Sequence, residues 1–185
     1  TCGYVFPALT GTPLLPFPAG NGAAGTLFLQ DWKEYLGTCL TSAMLAGTQY
    51  QIQFKVSSLS IDQLGNACPS GINNTLGPVN ITIFGANNCS SLPINGTDCP
   101  SSLSPAWSAL GVISYTPSLS WSTVTITFTP SSNINTIMLG PPCVLPPSYP
   151  NGTSACIPYF IFDDLTLNSS SAFGLVDINP IGNYC

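Results

Sequence analysis

The side chains able to do acid–base or metal chemistry are few. There are seven carboxylates (Asp31, Glu34, Asp62, Asp98, Asp163, Asp164 and Asp177), two lysines (Lys33 and Lys55), no arginine and no histidine. Without histidine no Ser-His or Cys-His pair can form. A glycosidase needs two carboxylates facing one bond. Asp163 and Asp164 are adjacent in an extended run and point to opposite faces, so only Asp31 with Asp163, meeting across space, would serve. The expectation is a chain that is not an enzyme.

Eight cysteines stand at positions 2, 39, 68, 89, 99, 143, 156 and 185. They contain no C-x-x-C pair and have no histidine to complete a zinc site. An even number of scattered cysteines reads as disulfides made in an oxidising, extracellular compartment. Local closure of two long loops would pair Cys89 with Cys99 and Cys143 with Cys156. Neighbouring terminal strands would pair Cys2 with Cys185, which leaves Cys39 with Cys68. Eight cysteines allow about 105 connectivities, so these are expectations only.

Only 5% of the residues are charged. Two cations cannot neutralise a phosphate backbone or a polyanionic bilayer, so nucleic acid and polybasic membrane contact are excluded as partners. No apolar run is long enough to cross a bilayer as a helix. With Thr1 first, the expectation is a removed leader or a piece of a longer protein, and both stay open. With mean hydropathy of +0.34, the surface must be kept from uncontrolled association by glycan or by other protein. Six N-x-[ST] sequons offer acceptor positions, at Asn73, Asn80, Asn88, Asn95, Asn151 and Asn168.

The elements that must position these groups are strands. In Tyr50–Ser57, Tyr50, Ile52, Phe54 and Val56 share one face, and Gln51, Gln53, Lys55 and Ser57 the other. In Trp121–Thr129, Val124, Ile126 and Phe128 alternate with Trp121 and a row of threonines. This period of two predicts half-buried antiparallel strands. Further strands are expected at Leu36–Leu40, Val79–Gly85, Ala109–Tyr115, Asn135–Leu139 and Tyr159–Leu167, with Thr26–Tyr35 open between helix and strand. Leu59–Gly77, Asn87–Pro105 and Gly140–Pro158 read as long loops. Gly (17) and Pro (18) punctuate these runs, as in a sandwich or barrel. The expectation is one all-β, antiparallel β-sandwich domain over residues 1–185 with disulfide-tethered loops. Gly174–Cys185 would be a tail, an inter-domain linker or a cover for a neighbour.

Three runs carry a resemblance. "EYLGTCLTSAMLAGTQYQIQFKV" (Glu34–Val56), "WSTVTITFTPSSNINTIMLGPP" (Trp121–Pro142) and "YFIFDDLTLN" (Tyr159–Asn168) resemble, in order, the strands of galactose-binding-like, carbohydrate-binding-module-like jelly rolls. Glu34–Leu40, Ile81–Cys99 and Leu139–Cys143 resemble domains of secreted surface proteins of the Bacteroidota, including gliding-motility-associated adhesins. The resemblance implies a jelly-roll sandwich and a surface or matrix role, without naming a ligand.

Two functions follow from different classes. One is an extracellular adhesion module that binds glycan or another surface. The other is a structural subunit that packs against identical subunits into a fibre or sheath. For the first, exposed aromatics are the stacking candidates: Trp121, which has outward parity, then Trp107, Tyr115 and Tyr149 in or near loops. Strand parity also places Asp163 with Tyr159, Ile161, Leu165 and Leu167 on the face assigned to the core. A buried carboxylate with no available cation suits a structural calcium, with Asp31 or Glu34 contributing, and the resemblance implies calcium near this closing strand.

Overall fold

The structure is a computed structural model and describes residues 16–20, 22–62, 65–68, 76–92, 94, 99–102 and 107–172. Eight strands are present among them: β1 (Ala24–Leu27), β2 (Leu36–Met44), β3 (Tyr50–Ile61), β4 (Val79–Ala86), β5 (Ser108–Tyr115), β6 (Ser122–Phe128), β7 (Ile134–Gly140) and β8 (Ile157–Ser169). Two short 3-10 turns, Cys89–Ser91 and Pro100–Ser102, lie between β4 and β5.

The strands form two four-stranded sheets, ordered β1-β8-β3-β6 and β2-β7-β4-β5. All pairings between these strands are antiparallel. Successive strands β1 and β2, β3 and β4, β5 and β6, β7 and β8 alternate between the sheets. This is the double Greek-key winding of a jelly roll, and it confirms the expected sandwich. The period-two segments supply its interior. Ile52, Phe54 and Val56 of β3 and Val124, Ile126 and Phe128 of β6 meet Ile81 and Ile83 of β4 and Ile137 and Leu139 of β7. Phe28 stacks on Phe160 with ring centroids 4.0 Å apart, and Tyr115 and Tyr149 pack around the same ring.

The segment Thr26–Tyr35 becomes the end of β1 followed by a hairpin closed by a Phe28–Lys33 bridge. β2 and β3 run beyond their expected ends, to Met44 and Ile61. The turn between them needs Gly47 at φ +76°, a left-handed conformation that glycine adopts without a Cβ clash. Gly25 has a different reason. A Cβ there would overlap the ring of Tyr159 lying across it.

β8 departs from simple alternation. Lys55 of β3 faces Asp163, but Gln53 faces Thr166, so β8 carries one extra residue. Asp164 takes it up with φ +51°, a left-handed position that Asp tolerates better than most residues. The bulge inverts parity. Phe160 and Phe162 face the core before it, and Leu165 and Leu167 pack against the core after it. Asp163 therefore lies on the outer face with Tyr159 and Ile161, not among the core residues as continuous alternation predicted.

The cysteine pairing also differs from expectation. Among the described residues the bridges are Cys39–Cys89, Cys68–Cys156 and Cys99–Cys143, so neither local loop closure forms, and Cys39 does not pair with Cys68. Topology explains this. β2 and β4 flank β7, with Cys39 and Ala86 both opposite Thr136, which brings Cys89 next to Cys39. β3 and β8 are antiparallel neighbours with Ile61 opposite Ile157, so Cys68 and Cys156 leave the sheet side by side. Cys2, Cys185 and the segment Gly174–Cys185 lie outside the described residues.

Candidate functional site

Each sheet has an outer face, and the two are finished differently. On the β2-β7-β4-β5 sheet, the chain after β4 folds back over Phe84, Ala86 and Met138. Trp107, Leu92, Ile94 and Tyr35 complete that apolar cluster. Cys39–Cys89 and Cys99–Cys143 hold this cover in place.

The outer face of the other sheet has two halves. Its first half is apolar. Leu59, Ile61, Ile157, Tyr159 and Ile161 form a second cluster with Leu29, and Ala23, Leu27 and Trp121 pack on it. Its second half is polar. There β6, β3 and β8 present three rows of three: Thr123, Lys55 and Asp163; Thr125, Gln53 and Thr166; Thr127, Gln51 and Asn168. Strand spacing makes this grid about 10 Å wide and about 14 Å long. Thr123 and Thr127 are exposed and the other seven are half-buried.

The bonds within the grid run across strands. Gln53 Nε2 donates to Thr125 Oγ1 at 3.1 Å, and Lys55 Nζ to Thr123 Oγ1 at 2.6 Å. A glutamine amide and a threonine hydroxyl retain donor and acceptor capacity beyond one such bond. Trp121 stands one same-face step from Thr123, about 7 Å along β6, half-buried against the apolar half. The arrangement is a bed of amides and hydroxyls with an indole at one end.

Asp163 occupies the boundary between the halves. Its Oδ2 accepts from the Ala19 amide and its Oδ1 from the Asp164 amide, each at 2.8 Å. Burial raises its carboxyl above the usual carboxylate range, the two amides draw it part of the way back, and the Asp164 carboxylate adds to the rise. Asp163 thereby fastens the segment before β1 onto the sheet.

The three expected calcium ligands do not converge. Asp31 Oδ1 accepts from the Gly152 amide at 2.7 Å. Glu34 Oε2 accepts from the Leu27 amide at 3.1 Å. Among the described residues no group of three or more metal-ligating side chains forms. The donor set does not fit a shared calcium site, because each carboxylate serves a backbone amide in a different segment.

Of the four aromatic candidates, only Trp121 keeps the expected placement beside the threonine row. Trp107 is buried under the loop cover. Tyr115 and Tyr149 are buried in the main core, their hydroxyls donating to the Ser118 and Gly77 carbonyls. Loop position suggested exposure, but all three pack inward. Sequence reasoning missed Trp32, which is 46% exposed at the tip of the β1–β2 hairpin. Its signal was a tryptophan within the polar run Gln30–Glu34. It also missed that Thr166 and Asn168 join Gln51 and Gln53, since the bulge at Asp164 sets their face.

Among the sequons, Asn80, Asn88 and Asn151 are exposed, and Asn168 is a half-buried corner of the grid. Asn88 Oδ1 accepts from Ser90 N in the 3-10 turn. Asn73 and Asn95 lie outside the described residues.

No family model matches the chain, and no curated protein matches it. Several solved structures are similar in fold. One described as "CBM4 structure and function" is 16% identical, with a TM-score of 0.44, over 82% of this chain and 74% of that one. The N-terminal cellulose-binding domain of Cellulomonas fimi β-1,4-glucanase C is 15% identical, with a TM-score of 0.42, over 80% and 79%. The EclA C-terminal domain, a sugar-binding protein, is 12% identical, with a TM-score of 0.37, over 89% of each chain. The jelly-roll assignment rests on the strand order itself.

Proposed function

We propose that this chain is a non-catalytic glycan-binding module that acts outside the cytosol and attaches to a neutral polysaccharide surface. The observation that carries the reading is the three-by-three grid on β6, β3 and β8 with Trp121 at its end. A sugar ring has an equatorial belt of hydroxyls, each donor and acceptor, and an apolar C–H face. Gln51, Gln53, Thr125, Thr166 and Asn168 match the first, and an indole matches the second. A bed of this size spans about two to three pyranose rings, given the strand spacing.

The charge supports a neutral ligand. The grid holds one cation and one anion, and the chain carries a net charge of −5, which repels polyuronates and sulfated glycans. The three disulfides among the described residues fit an oxidising compartment. Adhesion then means holding whatever carries this module against a glycan-coated surface.

The test is affinity electrophoresis through gels containing neutral or acidic soluble polysaccharides. Wild-type protein is retarded by at least one neutral polymer and by no acidic one. Gln53→Ala and Trp121→Ala each lose retardation, at roughly 5- to 10-fold weaker affinity for about one hydrogen bond or one stacking contact. Retardation that both variants keep would remove the grid from the account.

A further inference from the structure

The hairpin between β1 and β2 has no part in the grid, yet it holds the chain's exposed tryptophan. Trp32 is 46% exposed, whereas Trp107 is 2% exposed and Trp121 is half-buried. Four polar residues surround Trp32 in sequence: Gln30, Asp31, Lys33 and Glu34. Three of these four are charged, a third of the nine charged side chains (two cations and seven carboxylates) in the whole chain.

This tip is built as a rigid platform. Leu29 N donates to the Trp32 carbonyl at 3.0 Å, and Glu34 N to the Leu27 carbonyl at 3.1 Å, so the hairpin is closed at both ends. Phe28 and Leu29 are buried beneath it. Gln30 N donates to the Pro150 carbonyl and Gln30 Nε2 to the Pro146 carbonyl. Gly152 N donates to Asp31 Oδ1. The tip is thus fastened to the loop before β8 by three bonds. Lys33 Nζ donates to the Gln30 carbonyl. The indole itself is oriented, with Nε1 directed at Glu34 Oε1 at 3.4 Å.

We propose that Trp32 forms a second carbohydrate contact, separate from the grid, in which the indole face takes the C–H face of a neutral pyranose. The carboxylates of Asp31 and Glu34 then lie beside the ring as acceptors for its hydroxyls. Chemistry selects a sugar over an apolar partner. A protein-docking anchor would sit among other exposed apolar side chains, whereas Trp32 is bordered by carboxylates, an amide and an ammonium. An indole held in one orientation binds with little loss of side-chain freedom.

The position gives the second contact a purpose. The hairpin leaves the sheet where Leu27 pairs with Tyr159, whereas the grid is centred on Thr166 of the same strand. The base of the hairpin is about 20 Å from the grid centre along β8, and Trp32 lies beyond that base. A long or branched polysaccharide that engages both gains avidity, while a fragment too short to span them does not. This inference rests on the sugar-binding reading, so its test separates the two.

Wild type, Trp32→Ala, Trp32→Phe, Gln53→Ala and the double variant Trp32→Ala/Gln53→Ala are measured against one retained neutral polysaccharide and against a trisaccharide of the same linkage. Trp32→Ala weakens polymer binding at least 10-fold, and Trp32→Phe, which keeps a ring face, recovers most of it. In the Gln53→Ala background, removing Trp32 lowers the tryptophan fluorescence change caused by the trisaccharide and leaves only the part contributed by Trp121. Polymer binding by Trp32→Ala at wild-type strength, with Gln53→Ala weakened, overturns the second contact and leaves the grid. The reverse pattern overturns the grid and leaves Trp32. Wild-type strength in both single variants overturns both.

Discussion

Replacing Cys68 and Cys156 together by serine removes the bridge that ties the end of β3 to the start of β8. The bridge closes a loop of 88 residues, for which chain entropy alone gives about 4.6 kcal/mol at 25 °C. Cys99–Cys143 lies inside that loop and spans 44 residues of it. It shortens the free path in the unfolded chain to about 45 residues, which lowers the expected contribution to about 4 kcal/mol. No buried apolar group is lost with the sulfurs, so the effect falls on the unfolded state. Guanidinium titration followed by tryptophan fluorescence should show a midpoint shift matching about 4 kcal/mol, with a larger m-value because the released chain exposes more surface. Near the melting point the same loss lowers Tm by roughly 8–16 °C for a chain of this size. A loss under about 1 kcal/mol would refute the entropy argument. Peptide mapping of the unreduced parent should recover Cys68 linked to Cys156, and recovery of Cys143 linked to Cys156 would refute the placement of the loops.

The other consequences can be checked individually. Phe160→Ala empties the centre of the aromatic stack with Phe28, Tyr115 and Tyr149, and should cost about 3–5 kcal/mol by denaturant titration. Asp163 holds its proton more tightly folded than unfolded, because burial raises its carboxyl above the ordinary value of 3.8. Its contribution to stability is therefore fullest below that value and is lost as pH rises through the raised one. Stability measured as wild type minus Asp163→Asn should fall from pH 3 toward neutrality, and a difference that rises instead would reverse the assignment of burial as the main cause. Glycan attached at Asn168 would cover a corner of the grid, so material modified there should lose polysaccharide retention. Material modified at Asn80, exposed in β4 of the opposite sheet, should keep it.

The sandwich was legible because β3 and β6 alternate without interruption over their paired stretch, and each buries one clean face. The outward row Gln51, Gln53 and Lys55 and the threonines of β6 could be read the same way. Asp163 could not, because a single left-handed residue at Asp164 reverses parity and leaves no trace in the hydrophobic pattern. The cysteine pairs were illegible for a related reason. Cys39 meets Cys89 only because β7 lies between β2 and β4, a fact of strand order that local spacing does not encode. The buried state of Trp107, Tyr115 and Tyr149 depends on long-range packing that loop position does not reveal. Trp32 was visible as a residue, but its exposure is set by bonds from Gln30 and Asp31 to a loop more than a hundred positions away.

Amide shift mapping of isotope-labelled protein during titration with neutral hexasaccharides tests the central claim most directly. The account predicts saturable shifts concentrated at Gln51, Gln53, Lys55, Thr125, Thr166 and Asn168, with the Trp121 indole N–H moving in the same titration. Saturable shifts confined to the β2-β7-β4-β5 sheet, or no shifts with any neutral glycan that retards the protein, would contradict it.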